Sequence, residues 1–79
     1  MVKLPRVSYS DIIKVLSKVG FAYAPKRGKG SHIAMYKVDE DGRRRLVIIP
    51  RKKNIPKGTL LSILKQAGLS KEEFLELLK

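Results

Sequence analysis

The chain has 79 residues and a formal net charge of +11, from 18 Lys and Arg against 7 Asp and Glu. This length allows one small domain, residues 1–79, with a single core, and no stretch of roughly 18 apolar residues is present to span a membrane. Cysteine is absent and histidine occurs once, which excludes disulfides, thiolate chemistry and an imidazole-rich metal site. We therefore expect no metal and no cofactor. Residues 1–11 lack the apolar run of a signal peptide, which favours a cytoplasmic protein.

Most of the positive charge falls in the middle of the chain. Residues 26–57 hold eleven basic and three acidic side chains, whereas residues 58–79 hold three of each. A concentrated excess of this kind is typical of a surface that binds a polyanion such as RNA. A general lysine-rich surface of the thermophile type is the alternative, but it would also make the last 22 residues basic.

The first predicted element is an amphipathic helix near the N-terminus. A serine cap, Asp11 in the first turn and Gly20 just past the end bracket this helix. The apolar residues that recur at helical spacing are Ile12, Val15, Leu16 and Val19. The segment FAYA, residues 21–24, then predicts a short strand, which Pro25 ends.

Two longer strands joined by a tight turn are predicted next. The first, residues 31–38, alternates in polarity, and Asp41-Gly42 is the strongest hairpin signal in the chain. The second, residues 44–50, is apolar in its centre and ends at Pro50. Alternation assigns the faces of the first strand, with Ile33 and Met35 on one side and His32, Ala34 and Tyr36 on the other.

Two helices are predicted after a polar loop over residues 51–58. Pro56 suits the opening of the first helix, which stops at Gly68, and Ser70 with Glu73 fits the capping box of the second. The first helix buries Leu60, Leu61 and Leu64, and the apolar side of the second consists of Phe74, Leu75, Leu77 and Leu78. The order α-β-β-β-α-α predicts an α+β fold, with a three-stranded antiparallel sheet and the helices on one of its faces.

His32 is the side chain whose type suggests catalysis. Histidine takes up and releases a proton near neutral pH. RNA is cut without a metal when the 2′-hydroxyl is activated against phosphorus and the leaving oxygen is protonated, steps that a positioned acid or base accelerates. A lone histidine at the start of a strand is also an ordinary half-buried polar residue, and the residue type alone leaves both roles open.

Two basic clusters flank this histidine in the predicted topology. One is the glycine-rich turn before it, whose glycines allow a phosphate to approach the backbone amides. The other follows Pro50, and in an antiparallel hairpin the end of the second strand lies beside the start of the first. We therefore expect both clusters at one end of the sheet, although the second is open to interpretation as a solvated linker loop. The candidate RNA-binding residues are Lys26, Arg27, Lys29, Gly30, Ser31, Arg51, Lys52, Lys53 and Lys57.

The acidic run at residues 39–41 resembles a metal cluster only superficially. On a tight hairpin turn such residues more often serve the turn geometry and solubility. We interpret the run as part of the hairpin.

Several of these features occur together in the order found in a known family. The first helix ends in Gly-Phe, the basic turn leads to a Gly-Ser-His step at residues 30–32, and the third strand ends in Ile-Pro at residues 49–50. The most specific segment is PKGTLLSILKQAGLSKEEF, residues 56–74. Over nearly its whole length the chain closely resembles the HicA-type (YcfA-like) mRNA interferase toxins.

The resemblance implies a fold like the double-stranded-RNA-binding domain and the toxin role in a type II toxin–antitoxin pair. It implies a ribosome-independent endoribonuclease that cleaves mRNA, with the histidine of the Gly-Ser-His step, His32, as the catalytic residue. It also implies a partner, a HicB-type antitoxin that binds the toxin and masks the face that carries His32 and the basic clusters.

The chain departs from this family pattern at one position. Many relatives carry a histidine shortly after the proline that ends the third strand, where this chain has Arg51, Lys52 and Lys53. Lysine is a poor proton donor near neutral pH, because its ordinary pKa is about 10.4. We therefore expect cleavage to be slow, or to rest on His32 alone.

Two other functions fit the same residues. A non-catalytic RNA-binding module would use the basic face and would never cleave RNA. A protein-interaction domain would use it to dock an acidic partner and would bind RNA negligibly at physiological salt. For the endoribonuclease and for the RNA-binding module alike, RNA affinity should fall steeply with salt, because neutralising phosphates releases counterions.

Overall fold

The computed structural model describes residues 4–24 and 32–79. Its elements in chain order are α1 (Tyr9–Lys18), β1 (Ala22–Tyr23), β2 (His32–Val38), β3 (Arg44–Pro50), α2 (Lys57–Ala67) and α3 (Lys71–Leu78). The predicted α+β class and the order α-β-β-β-α-α are therefore confirmed. Within the described ranges, none of the helices is long and apolar enough to cross a membrane.

The strands form one antiparallel sheet in the order β1-β2-β3. β2 and β3 pair along their full length, from Val38 opposite Arg44 to His32 opposite Pro50. β1 is short and pairs with the middle of β2, where Ala22 lies opposite Tyr36. The long β2–β3 hairpin is therefore the frame that fixes which residues share each end of the sheet.

The turn between β2 and β3 needs its glycine. The Asp39 N–H donates to the Arg43 carbonyl at 2.8 Å, and the Gly42 N–H donates to the Asp39 carbonyl at 2.9 Å. Gly42 has a φ of +85°, a left-handed conformation that glycine adopts at little cost. The hairpin predicted from Asp-Gly is confirmed, and the acidic run lies on its turn.

One face of the sheet packs under the helices. The inward-facing strand residues Ile33, Met35, Val47 and Ile49 join the helix residues Ile12, Val15, Leu16, Leu60, Ile63, Leu64 and Phe74 in one core cluster. The helices thus cover one face, as predicted, and alternation turns the remaining residues of β2 and β3 towards the opposite, outer face. One assignment is wrong. Leu61 is only partly buried, because α2 turns Leu60, Ile63 and Leu64 inwards instead.

Two reciprocal capping boxes start α1 and α3. The Ser8 side chain accepts from the Asp11 N–H at 3.3 Å, while the Ser8 N–H donates to the Asp11 carboxylate at 3.0 Å. Ser70 and Glu73 make the same exchange, with both distances at 3.1 Å. Each box satisfies amides that the helix start would otherwise leave without a partner. Ser8 and Ser70 are therefore the capping serines, and Ser10 lies within α1.

Gly68 is the glycine whose replacement we expect to cost most among those that end or open helices. It ends α2 with a φ of +74°, and a methyl group on it would lie 3.0 Å from the Arg45 guanidinium. Gly68→Ala should therefore lower the free energy of unfolding by about 1–2 kcal/mol through left-handed strain alone, with the crowding against Arg45 adding to it. Chemical denaturation of wild type and variant measures this loss.

Gly58 offers a matched control in the same helix. Its φ is not positive, and no atom lies within 4 Å of a methyl group built on it. Gly58→Ala should raise the free energy of unfolding by about 0.4–1 kcal/mol, because alanine restricts the unfolded chain. Equal effects of the two substitutions would contradict this account of the α2 C-terminus.

Candidate nucleic-acid interface

His32 lies at the end of the hairpin where residues 51–56 begin, a segment that we call the basic loop. It is the first residue of β2, it is exposed, and its partner across the strand pair is Pro50, the last residue of β3. Arg51 follows Pro50 directly, so the start of the basic loop adjoins the histidine. The placement that the antiparallel hairpin predicts is therefore found in the structure.

Backbone hydrogen bonds fix the basic loop against the start of α1. The Lys52 N–H donates to the Pro50 carbonyl at 2.9 Å, and the Lys52 carbonyl accepts from the Tyr9 N–H at 3.0 Å. Further along, the Ile55 N–H donates to the Val7 carbonyl at 2.9 Å. The loop is thus held at both ends and is not a free linker, while the side chains of residues 51–53 are exposed.

Lys57 adds a second cationic position beside this loop. It is the first residue of α2 and is exposed, and the preceding Pro56 makes no side-chain hydrogen bond to cap the helix. Lys57 and Arg6 both line a surface cleft of about 370 Å³, together with Leu4, Pro5, Asn54, Ile55, Pro56 and Leu60. Helix N-terminal amides favour anions, so the cationic side chains and the start of α2 act in the same direction.

Arg6 is a basic residue of this cleft that sequence reasoning missed. Its place beside Lys57 depends on the backbone bond between Val7 and Ile55, which joins segments far apart in the chain. The only signal in the sequence is its charge within the modestly basic N-terminal segment.

The two ends of the hairpin differ in electrostatics. Within residues 4–24 and 32–79, the ion pairs are Arg43 with Asp41 at 3.3 Å, Arg45 with Asp39 at 2.8 Å and Lys79 with Glu76 at 3.6 Å. Two of these lie at the turn, so the acidic run is largely matched by neighbouring arginines there. Arg51, Lys52, Lys53 and Lys57 take part in none of them. Positive charge is therefore left available at the His32 end.

The remaining candidates lie outside the described residues. These are Lys26, Arg27, Lys29, Gly30 and Ser31, and the expectation that they bind phosphate stays a prediction. The structure therefore brings together His32, the loop at residues 51–53 and, around the start of α2, Lys57 with Arg6. In the part of the chain that the structure describes, no three His, Cys, Asp or Glu side chains are grouped to hold a metal ion.

Comparison with known proteins identifies the family. A family model described as the HicA toxin of bacterial toxin–antitoxin matches residues 9–69, from the first residue of α1 to the residue after Gly68. No curated protein matches the chain. The family match covers most of the sequence and includes the whole hairpin, the basic loop and α2. The chain therefore belongs to the HicA toxin family of toxin–antitoxin systems, and this membership implies an antitoxin partner.

Proposed function

We propose that the chain is a ribosome-independent endoribonuclease that cleaves mRNA and so inhibits translation, with His32 as its catalytic residue. The observation that carries this proposal is the pairing of His32 with Pro50, which sets the only imidazole of the chain beside a fixed basic loop. Membership of a toxin family supports it, because an enzyme that destroys messages is toxic at low concentration. The partner we propose is a HicB-type antitoxin, and the site of action is the cytoplasm.

The reaction we propose is an internal phosphoryl transfer. The 2′-oxygen of a ribose forms a bond to the neighbouring phosphorus, the bond from phosphorus to the 5′-oxygen breaks, and the products end in a 2′,3′-cyclic phosphate and a 5′-hydroxyl. Proton balance requires a base for the 2′-hydroxyl and an acid for the 5′-oxygen. With one histidine in the chain, His32 takes the first proton and returns it to the leaving oxygen. No metal or cofactor enters this scheme.

The cations around His32 have a separate task. Arg51, Lys52 and Lys53 neutralise the phosphate that gains charge in the transition state and hold the flanking backbone. The further phosphate contacts that we propose come from Lys57 and from Lys26, Arg27, Lys29, Gly30 and Ser31. Fixed positive groups are more effective than mobile ones because they need no reorganisation as the charge develops, which is the role of the loop's bonds to Tyr9 and Val7.

A non-catalytic RNA-binding module is the second candidate. The lysines and arginine after Pro50 favour it, since they bind phosphates but are poor proton donors. Ribosome-free cleavage of a defined single-stranded RNA by the purified chain separates the two functions. Cleavage that depends on His32 supports the enzyme, and intact RNA with high affinity supports the module.

The basic loop gives a prediction on RNA affinity. The triple variant Arg51→Ala, Lys52→Ala, Lys53→Ala should bind single-stranded RNA at least tenfold more weakly at physiological salt. Its plot of log affinity against log salt should also be shallower by about 2, since each phosphate contact on a single strand contributes about 0.7 to the slope. Fluorescence anisotropy over a salt series measures both quantities.

The control removes the same charge from the helices. A variant with Lys14, Lys65 and Lys79 replaced by alanine should keep the affinity within about threefold, because those side chains lie on α1, α2 and after α3 and outside the basic loop. If both triple variants lose affinity equally, net charge and not the placement of the loop decides RNA binding, and the proposed interface is wrong.

A further inference from the structure

The outer face of the sheet carries an unusual share of exposed apolar side chains. Four of them lie on β2 and β3 and form what we call the outer apolar patch: Tyr36, Val38, Leu46 and Ile48, exposed by 42%, 52%, 40% and 38%. Soluble proteins seldom leave contiguous apolar surface of this kind uncovered, and such surfaces rimmed by polar residues mark interaction sites. The outer apolar patch is therefore a candidate interaction surface.

Strand pairing makes the patch continuous. Tyr36 lies directly opposite Leu46, and Ile48 lies opposite Ala34, which is buried. All belong to the alternate set that faces away from the core, since Met35 and Val47 are the inward neighbours. Cross-strand partners stand about 5 Å apart, so the side chains adjoin one another. β3 is an edge strand, and at this edge the Ile48 N–H donates to the Gln66 side-chain oxygen at 3.4 Å.

Positive charge borders the patch mainly at its His32 end, whereas at the turn the arginines of residues 43–45 lie beside the acidic run of residues 39–41. Arg44 lies opposite Val38 near the hairpin turn, and the basic loop after Pro50 lies at the other end of the same strand. Arg44 is exposed and takes no part in the ion pairs at the turn. An occupant that matches this surface needs apolar side chains in its centre and carboxylates where it meets Arg44 and the basic loop.

These properties favour one kind of occupant. RNA phosphates gain nothing from Val38, Leu46 or Ile48, because aliphatic groups neither pair with phosphate nor stack on bases as aromatic rings do. A second copy of the chain is opposed by its own charge, since each copy carries a net +11 and like charges repel across an interface. A protein surface with carboxylates around an apolar centre satisfies both the patch and its rim.

We propose that the outer apolar patch is the docking surface for the antitoxin, which contacts it through apolar side chains flanked by Asp and Glu. The inference rests on the toxin–antitoxin membership of the chain and not on the proposed ribonuclease activity. It separates the two surfaces by chemistry: partner affinity depends mainly on the patch, and RNA affinity depends on the basic loop.

The test titrates a HicB-type antitoxin calorimetrically into wild type and variants. Leu46→Thr with Ile48→Thr should weaken the complex at least tenfold, because buried apolar anchors dominate interface affinity. Threonine keeps the preference for strand. The variant should bind single-stranded RNA within about twofold of wild type. Tyr23→Thr is the control: Tyr23 is 57% exposed but pairs with Met35 on the inward side, and its complex should keep wild-type affinity.

Arg44→Glu supplies a second variant in case the double substitution impairs folding. It should weaken the antitoxin complex at least fivefold and leave RNA binding unchanged, because Val38, beside Arg44, lies six residues and about 20 Å along β2 from His32.

Wild-type affinity for the antitoxin in folded patch variants would overturn the proposal. So would loss of RNA affinity alone, which assigns the patch to RNA, or a wild-type dimer that the patch variants dissociate, which assigns it to a second copy. A wild-type chain that binds RNA but not the antitoxin would overturn the docking proposal while leaving the ribonuclease proposal intact.

Discussion

His32→Ala is expected to lower the rate of RNA cleavage by about 10²–10⁴-fold, the contribution typical of a positioned acid or base. The affinity for RNA should stay within about twofold of wild type, because the cations at residues 51–53 and Lys57 remain. His32 is exposed at the start of β2, so its truncation opens no cavity in the core. The loss should therefore appear in the rate of single-turnover cleavage and not in stability.

His32→Gln and Val38→Ala complete this experiment. Glutamine keeps a polar side chain of similar reach but transfers no proton near neutral pH, so it should be as inactive as alanine. Val38 is exposed at the far end of the same strand, and Val38→Ala should cleave at the wild-type rate. Activity in the glutamine variant would mean that His32 only binds or orients the RNA.

Phe74→Ala is expected to have the largest effect on stability. Phe74 is 0% exposed and belongs to the core cluster, although α3 lies beyond the residues that the family model matches. Removing a buried phenylalanine ring costs about 3–5 kcal/mol, a large fraction of the 5–15 kcal/mol by which domains are stable. The midpoint of thermal unfolding should fall by at least about 12 °C, as measured by circular dichroism.

Leu75 provides the control on the same helix. It is only partly buried, so Leu75→Ala should lower the free energy of unfolding by less than about 1.5 kcal/mol. Like Phe74→Ala, it should change the helix content of the folded protein little. The Lys18 ammonium also donates a hydrogen bond to the Leu77 carbonyl at 2.7 Å, which links α1 to α3. Neither substitution removes this hydrogen bond. If Phe74→Ala unfolds at the wild-type midpoint, α3 is not an integral part of the core.

The sequence predicts the fold well where local signals agree. The capping serines, Gly20, Gly42 and Gly68 and the alternation along residues 32–38 each specify a boundary or a face through local backbone chemistry. Local signals do not decide between Leu61, which is predicted to be buried, and Ile63, which is buried in the structure. Both are apolar and adjacent to Leu60 or Leu64 on the helix, and only the rotation of α2 over the sheet decides which one is buried.

The candidate site is predictable only in part. The approach of residues 51–53 to His32 follows from the hairpin, since antiparallel pairing needs no knowledge of the rest of the fold. The anchoring of the loop to Tyr9 and Val7, and with it the place of Arg6, depends on backbone bonds between distant segments. Side-chain types carry no record of such bonds, because any residue except proline can donate a backbone hydrogen bond.

The outer apolar patch shows the same limit. The run at residues 46–49 predicts an apolar strand, but a continuous run is equally consistent with burial on both faces. In the structure Val47 and Ile49 are buried, and Leu46 and Ile48 remain exposed because the described helices pack on the opposite face. Whether Leu46 and Ile48 are exposed depends on which elements pack against the outer face of the sheet. The sequence of the strand does not determine that.

The most direct test of the account is to incubate a defined single-stranded RNA with the purified chain, without ribosomes and with a chelator of divalent ions, and to identify the ends of the products. We expect cleavage to 2′,3′-cyclic phosphate and 5′-hydroxyl ends by wild type, and intact RNA with His32→Ala. RNA left intact by wild type at stoichiometric concentration, or cut equally by wild type and His32→Ala, would contradict it.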